Sequence, residues 1–265
     1  MKFQSLVVSL AVAIGLLSAP AFGADAKKST ALERVKKAGK LVVAIDPTYP
    51  PMEFEGTGQK VDGFDVDFIN EVAQRLGVKV EFKVMNWDGI LAGLKSRRYD
   101  LIISSMNVTP DRAKEADFVE YFKMSQVFVT KKGQLIKKKE DLVGKVLAVQ
   151  ADTTSHTWAE KEQKAGLKVK EVKAYKLATD AFAAVKAGHA EVTVMDEPVG
   201  RYYAKQDPQT FEVTGEAIAA EPVGIAFHKD DKDLTDAVAK AVGEIRTDGT
   251  YKKLSTKWFG TELVF

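Results

Sequence analysis

Arg112 is placed where it could bind a small anion. In the run Thr109-Pro110-Asp111-Arg112, Thr109 suits a helix N-cap and Pro110 suits the first helical position, so Arg112 falls in the first turn. The start of a helix carries partial positive charge and free amides, and a guanidinium can bind a carboxylate through two parallel hydrogen bonds. The alternative is a surface ion pair with Asp111 or Glu115.

Two aspartates are placed where they could bind a cation. Asp46 follows the apolar run 41–45 and Asp196 follows the apolar run 192–195. Ligands of open α/β sheets bind beyond the carboxyl ends of the strands, and a carboxylate there can pair with an ammonium group. Ordinary capping of a loop is the alternative for each.

A second anion site is expected where the predicted strand 146–150 turns into a helix. Thr154 and Ser155 lie in this turn, and backbone amides at a strand-to-helix turn can form a nest for an anion. Capping of the helix by Asp152 or Thr153 is the alternative.

The elements that position these residues alternate as in an α/β sheet. Apolar spacing predicts strands at 41–45, 78–84 and 101–103, with helices from Phe64 to Gly77 and around 90–94. The pattern recurs: the strand–helix–strand unit from Gly77 to Asp100 has almost the same spacing as the unit from Gly166 to Glu191. Two copies of one unit predict two similar lobes in place of one continuous sheet.

Composition excludes several function classes. The 39 basic and 37 acidic residues give a formal charge of +2, which offers no electrostatic reason to expect nucleic acid as a partner. Cysteine is absent and the three histidines are far apart, so disulfides, thiolate zinc sites and a histidine-rich metal site are not expected. No cofactor is expected.

The first residues predict export. A basic start, an apolar run from Leu6 to Leu17 and small residues at Ala21 and Gly23 are typical of a cleavable signal peptide, with cleavage after Gly23. The alternative, a membrane anchor, needs about 20 apolar residues, and this run is shorter. Without a cysteine for lipid attachment, the mature protein is expected to be free in the periplasm.

Six segments together resemble the family 3 extracellular solute-binding proteins, the periplasmic amino-acid receptors of ABC importers. They are Asp46–Phe54, Gly63–Asp67, Ser104–Arg112, Val149–Ser155, Met195–Pro198 and Arg246–Tyr251. The sequence departs from the family at Asp152, where Gly is usual, and at Met52, where Phe is frequent. Asp152 is therefore expected to point away from the carboxylate-binding turn or to be solvated.

The resemblance implies an α/β, two-lobed type II fold with two hinge crossings and a ligand cleft between the lobes. Lobe 1 would comprise 28–123 with 217–265, and lobe 2 would comprise 124–216. The resemblance also implies a monomeric binding protein, not an enzyme, that delivers an amino acid to a membrane permease. Relatives that dehydrate cyclic acids such as prephenate or arogenate are the enzymatic alternative.

Site roles carried over from the family cover both ends of an amino acid. The α-carboxylate would bind Arg112, the α-ammonium would bind Asp196, and Asp46, Tyr49 and Trp87 would line the side-chain pocket. The remaining expected contacts are Ser104, Ser105, Asn107, Thr154 and Ser155. Acidic Asp46 and Glu53 near Trp87 favour a basic or polar ligand, because Trp can face a cation, although Glu53 could simply solvate its loop.

Overall fold

A computed structural model of the chain describes residues 29–134 and 136–261. The predicted signal peptide lies outside the described residues. The helices are α1 (Ala31–Ala38), α2 (Phe64–Leu76), α3 (Trp87–Lys95), α4 (Pro110–Glu115), α5 (Thr154–Lys164), α6 (Ala178–Ala187), α7 (Glu197–Gln206), α8 (Lys232–Thr247) and α9 (Thr250–Phe259). The strands are β1 (Lys40–Ile45), β2 (Thr48–Tyr49), β3 (Glu53–Glu55), β4 (Val61–Asp62), β5 (Lys79–Val84), β6 (Leu101–Ile102), β7 (Asp117–Lys131), β8 (Val146–Gln150), β9 (Glu171–Tyr175), β10 (Val192–Asp196) and β11 (Phe211–Phe227).

The two halves of the molecule repeat one arrangement, as the sequence repeat predicts. In the first half β1 lies between β5 and β6, and in the second half β8 lies between β9 and β10, with all four pairings parallel. Parallel strands buried on both faces consist mostly of apolar residues, which is why β1 and β8 are readable from the sequence. Their carboxyl ends carry Asp46 and Gln150.

The two halves are nevertheless joined in one hydrogen-bonded strand order, β5-β1-β6-β11-β7-β10-β8-β9. The expectation that the sheet would not be continuous is therefore wrong. The long antiparallel strands β7 and β11 run through both halves, and their register shifts between Thr214 and Ile218 and again between Ile218 and Glu221. The apolar run from Val223 to Phe227 predicts a strand, but the part of β11 before Val223 is not predicted, because Gly215 and Pro222 are typical of loops.

An aromatic cluster packs under the first half of the sheet. Phe64 stacks on Tyr121, with ring centroids 6.4 Å apart, and Phe68 lies 5.0 Å from the same ring. Phe122 and Phe259 complete one side of the cluster, 5.5 Å and 5.1 Å from Phe64. Because Phe64 and Tyr121 are fully buried, this cluster fixes the start of α2 against β7.

Across residues 29–134 and 136–261, no helix is long and apolar enough to cross a membrane. The same part of the chain has no group of three or more histidine, aspartate or glutamate side chains arranged to hold a metal ion.

Gly63 gives a test of how α2 begins. Its φ of 135° lies in the region that favours glycine, and a Cβ atom there would overlap the carbonyl of Met52. We expect Gly63→Ala to lower the free energy of unfolding by about 2–4 kcal/mol in urea denaturation. Gly89→Ala is the control, since its Cβ would meet no atom within 4 Å inside α3. An equal effect of both substitutions would contradict this account.

Candidate functional site

The carboxyl ends of the parallel strands meet around one cavity. β1 ends next to Asp46, β6 is followed by Ser104 and Ser105, β8 ends at Gln150 and β10 ends at Asp196. The cavity has a volume of about 350 Å³, including its opening to solvent. Its lining consists of Asp46, Tyr49, Glu53, Trp87, Ser104, Ser105, Asn107, Gln150, Thr153, Thr154, Ser155 and Asp196.

Nine of the ten predicted site residues line this cavity; the exception is Arg112. Arg112 lies beside it on α4, where its two Nη atoms donate to the carbonyls of Asn107 and Asp152 at 3.0 Å each. The side chain of Thr109 caps α4 by accepting from the Arg112 amide at 3.2 Å, as the sequence predicts. The start of α4 therefore fixes the backbone of Arg112, and the two carbonyls hold its guanidinium beside the cavity.

The alternative ion pairs for Arg112 do not form. Asp111 pairs with Lys114 at 2.7 Å, and Glu115 pairs with Lys95 at 3.3 Å. The guanidinium of Arg112 instead lies 5.2 Å from the ring centroid of Trp87, so it covers one face of that ring. A ligand cation can then contact only the other face of Trp87.

Sequence reasoning did not single out Gln150 as a site residue. Its Nε2 donates to Asp46 Oδ2 at 3.1 Å, and the side chain is buried. Gln150 is the last residue of a buried strand, so the rule that selected Asp46 and Asp196 would also have selected it.

Glu53, which the sequence left open as a loop residue, is 1% exposed and accepts from Ser104 at 2.9 Å. Thr153, weighed only as a cap, caps α5 and also lines the cavity.

Hydrogen bonds cross the cavity between the two halves of the chain. Tyr49 donates to Asp196 Oδ2 at 2.7 Å, and Thr154 donates to Asn107 Oδ1 at 3.2 Å. The Asp152 carbonyl accepts from Trp87 Nε1 at 3.1 Å as well as from Arg112. Asp152 has a left-handed φ of 60° and an exposed side chain, in agreement with the expectation that its charge is solvated.

Two polar atoms in the cavity lining are buried without a partner in the described residues. Asp196 Oδ1 is an acceptor and Asn107 Nδ2 is a donor. Asp196 is the N-cap residue before α7, but its side chain makes no capping hydrogen bond, so it does not act as an ordinary cap. Because a buried unpaired polar atom is costly, these two atoms indicate where a ligand would contribute hydrogen bonds.

Burial changes the acidity of the groups around the cavity. Desolvation raises the pKa of Asp196 to about 7, although the Tyr49 hydrogen bond opposes the shift. Desolvation also raises the pKa of Asp46, while the hydrogen bond from Gln150 lowers it in part. Desolvation lowers the pKa of Arg112 below its usual value, and the charges of nearby Glu221 and Asp196 oppose this shift. The site thus combines one partly desolvated cation with several buried carboxyl groups.

Comparison with known proteins agrees with this geometry. The model of the bacterial extracellular solute-binding proteins, family 3, matches residues 41–261. The L-cystine-binding protein TcyJ of Escherichia coli (strain K12) is 34% identical over 235 residues, which cover 88% of this chain and 87% of that protein.

Solved structures of amino-acid-binding proteins also match this chain. An ancestral arginine-binding protein bound to arginine has a TM-score of 0.80 and 40% identity, covering 84% of this chain and 99% of that one. An ancestral amino-acid-binding protein described as a precursor of cyclohexadienyl dehydratase has a TM-score of 0.80 and 35% identity. The match covers 87% of this chain and 100% of that one. These similarities confirm the two-lobed α/β fold, and the curated relatives are named as binding proteins, not as enzymes. The chain belongs to the family 3 bacterial extracellular solute-binding proteins.

Proposed function

We propose that this protein binds the zwitterion of a polar or basic L-amino acid between its two lobes and delivers it to the membrane permease of an ABC importer. The observation that carries the proposal is the pair of unpartnered atoms in the cavity, Asp196 Oδ1 and Asn107 Nδ2. An ammonium group supplies donors for the first, and a carboxylate supplies acceptors for the second.

The ammonium subsite centres on Asp196. This carboxyl group is 4% exposed and already accepts from Tyr49 through Oδ2, which leaves Oδ1 for the ligand. A buried carboxylate is stabilised when a cation pairs with it, so the ammonium group would offset the desolvation that raises the pKa of Asp196. Ser105 also lines the cavity, and its carbonyl would complete this end.

The carboxylate subsite lies between two helix starts. Arg112 belongs to the first turn of α4, and Thr154 and Ser155 belong to the first turn of α5. Arg112 stays charged despite its lowered pKa, because a guanidinium ordinarily loses its proton only far above neutral pH. Charge-assisted hydrogen bonds contribute about 1.5–3 kcal/mol each, and micromolar affinity needs roughly −8 kcal/mol, so a few such bonds suffice.

The side-chain end of the cavity favours a cationic or polar group. Asp46 accepts from Gln150 through Oδ2, and Trp87, which also lines the cavity, has Arg112 over one face of its ring. Acidic Asp46 suits a guanidinium, ammonium or imidazolium, while Gln150 suits an amide or a neutral polar group. Arginine, lysine, histidine and ornithine are therefore the first expected ligands, with glutamine next. The similarity to ancestral arginine-binding proteins bound to arginine and to glutamine supports this ligand class.

Closure of the lobes couples the two ends of the ligand. With lobe 1 as 28–123 and 217–265 and lobe 2 as 124–216, Arg112 and Asp46 belong to one lobe, and Asp196 and Thr154 belong to the other. β7 and β11 cross between the lobes near Met124 and Ile218, where their register shifts. Because the ligand contacts both lobes only when they are closed, binding favours the closed state.

The cellular setting follows from the family and from the first residues. A cleavable signal peptide ending at Gly23 would release the mature chain, as a monomer, into the periplasm. There the closed, loaded protein would dock on the permease.

A thermal-shift screen tests the proposed ligand class. Ligand in thousandfold excess over Kd stabilises a protein by about 4 kcal/mol, which raises the unfolding midpoint by several degrees. We expect such a shift with basic and polar L-amino acids, and a much smaller one at the same ligand concentration with Arg112→Ala. Loss of two charge-assisted bonds should weaken binding at least about a hundredfold, measured by calorimetry.

Arg98→Ala is the matched control, since this exposed arginine lies outside the cavity lining. It should bind as the wild type does. Unchanged affinity in Arg112→Ala would remove this side chain from the site, and the absence of a shift with any amino acid would contradict the function itself.

The pH dependence of binding tests the ammonium subsite. The unliganded pKa of Asp196 is raised to about 7, so below pH 7 this group is protonated and must lose its proton before it can pair with an ammonium. Affinity should therefore be roughly tenfold weaker at pH 6 than at pH 8. Asp196→Asn should bind more weakly and lose this dependence. A wild-type affinity that is constant over this range would be the opposite result.

A further inference from the structure

A pair of carboxyl groups, Glu53 and Asp65, lies buried behind the cavity wall. Glu53 is 1% exposed and Asp65 is 0% exposed, on β3 and in the first turn of α2. Glu53 lies against the cavity, but neither carboxyl group has a role in the ligand contacts proposed above. Two buried acids side by side need a structural or functional reason, because burial of charge is costly.

The hydrogen bonds of the pair lead to residues that line the cavity. Asp65 Oδ2 accepts from the Ser105 amide at 2.8 Å and lies 3.2 Å from the Ser105 hydroxyl. Glu53 Oε1 accepts from the Ser104 hydroxyl at 2.9 Å. The Ser104 oxygen in turn accepts from the Asp46 amide at 3.0 Å. The pair is thus connected, directly or through one hydroxyl group, to three residues of the cavity lining: Asp46, Ser104 and Ser105.

Ser105 shows why such support is needed. Its φ is 49°, a left-handed conformation that is uncommon for residues other than glycine. A strained backbone persists only where the surroundings hold it, and here the Ser105 amide is held by the Asp65 carboxylate.

We propose that the Glu53–Asp65 pair is a positioning device that holds Ser104 and Ser105 in the conformation required to bind the ligand. The inference rests on the proposed function, because the ligand subsites it supports are those of the amino acid. Glu53 and Asp65 are positioning residues and contribute no direct ligand contact to this account.

One shared proton makes the arrangement self-consistent. Burial raises the pKa of Glu53 well above its usual value, and the neighbouring charge of Asp65 adds to this. Burial raises the pKa of Asp65 to about 6, while hydrogen bonds from Tyr121 and Glu53 lower it in part. The hydrogen bond between the two groups raises the pKa of Glu53 and lowers that of Asp65, so Glu53 is the donor in this bond and Asp65 the acceptor. The Tyr121 hydroxyl donates to Asp65 Oδ1 at 2.7 Å and completes its acceptor bonds.

Two substitutions at Glu53 separate hydrogen bonding from space filling. In Glu53→Gln the amide nitrogen can donate to Asp65 while the amide oxygen accepts from Ser104, so affinity should stay within about threefold of the wild type. Glu53→Met has a similar volume and makes neither bond, so affinity for the amino acid should fall about tenfold or more. Equal affinities of the Gln and Met variants would overturn the proposal.

The Ser105 amide proton gives a second readout that needs no ligand. Its resonance should lie downfield in the unliganded wild type and in Glu53→Gln, because of the bond to a carboxylate, and should move upfield in Glu53→Met. If the Met variant does not fold, Tyr121→Phe serves instead, since it keeps the ring but removes a donor to Asp65. It should shift the same resonance and weaken binding severalfold.

A Ser105 resonance unaffected in the Met or Phe variant would refute the positioning role. If the wild type binds no amino acid but the Ser105 resonance responds as expected, the proposed function is refuted. The positioning of Ser105 by the two carboxyl groups would then still be supported.

Discussion

The antiparallel pairing of β7 with β11 determines where the side chains of the cavity lie. These two strands join the β5-β1-β6 group on one side to the β10-β8-β9 group on the other. Each group has parallel strands, and the carboxyl ends of both groups face the same cavity. Without the long pair, Asp46 and Asp196 would belong to separate sheets. Because this pair joins the two groups, the Tyr49 hydroxyl donates to Asp196 Oδ2 at 2.7 Å, although the two residues are 147 apart in sequence.

Bringing these strand ends together buries several carboxyl groups, which is unfavourable when they are charged. Asp46, Glu53, Asp65 and Asp196 are all at most 4% exposed. The chain compensates in different ways: in our account Glu53 and Asp65 share a proton, Asp46 accepts from Gln150, and Asp196 keeps one oxygen without a partner among the described residues. The first arrangement is complete within the protein, and Asp46 still faces the cavity. The third is completed, in our account, by the ammonium group of a ligand, which is why affinity and protonation are linked at this site.

Much of this arrangement could be predicted from the sequence, because local rules determine it. A short apolar run followed by an aspartate predicts a buried strand with an acid at its end, and Thr109-Pro110 predicts the helix that carries Arg112. The sequence did not predict the length of β11, because Gly215 and Pro222 interrupt its pattern and only the pairing with β7 keeps it extended. It also did not predict that Arg112 would cover Trp87, since that contact depends on how two distant loops approach each other.

The central claim is that one end of the cavity binds an ammonium group and the other a carboxylate. The most direct measurement is calorimetry with the best amino acid from the ligand screen, compared with its Nα-acetyl and its carboxamide derivatives. Each derivative keeps the side chain and removes one charge of the zwitterion. We expect each to bind at least about a hundredfold more weakly than the parent, since each loses charge-assisted bonds. Binding of either derivative with the affinity of the parent amino acid would contradict the account.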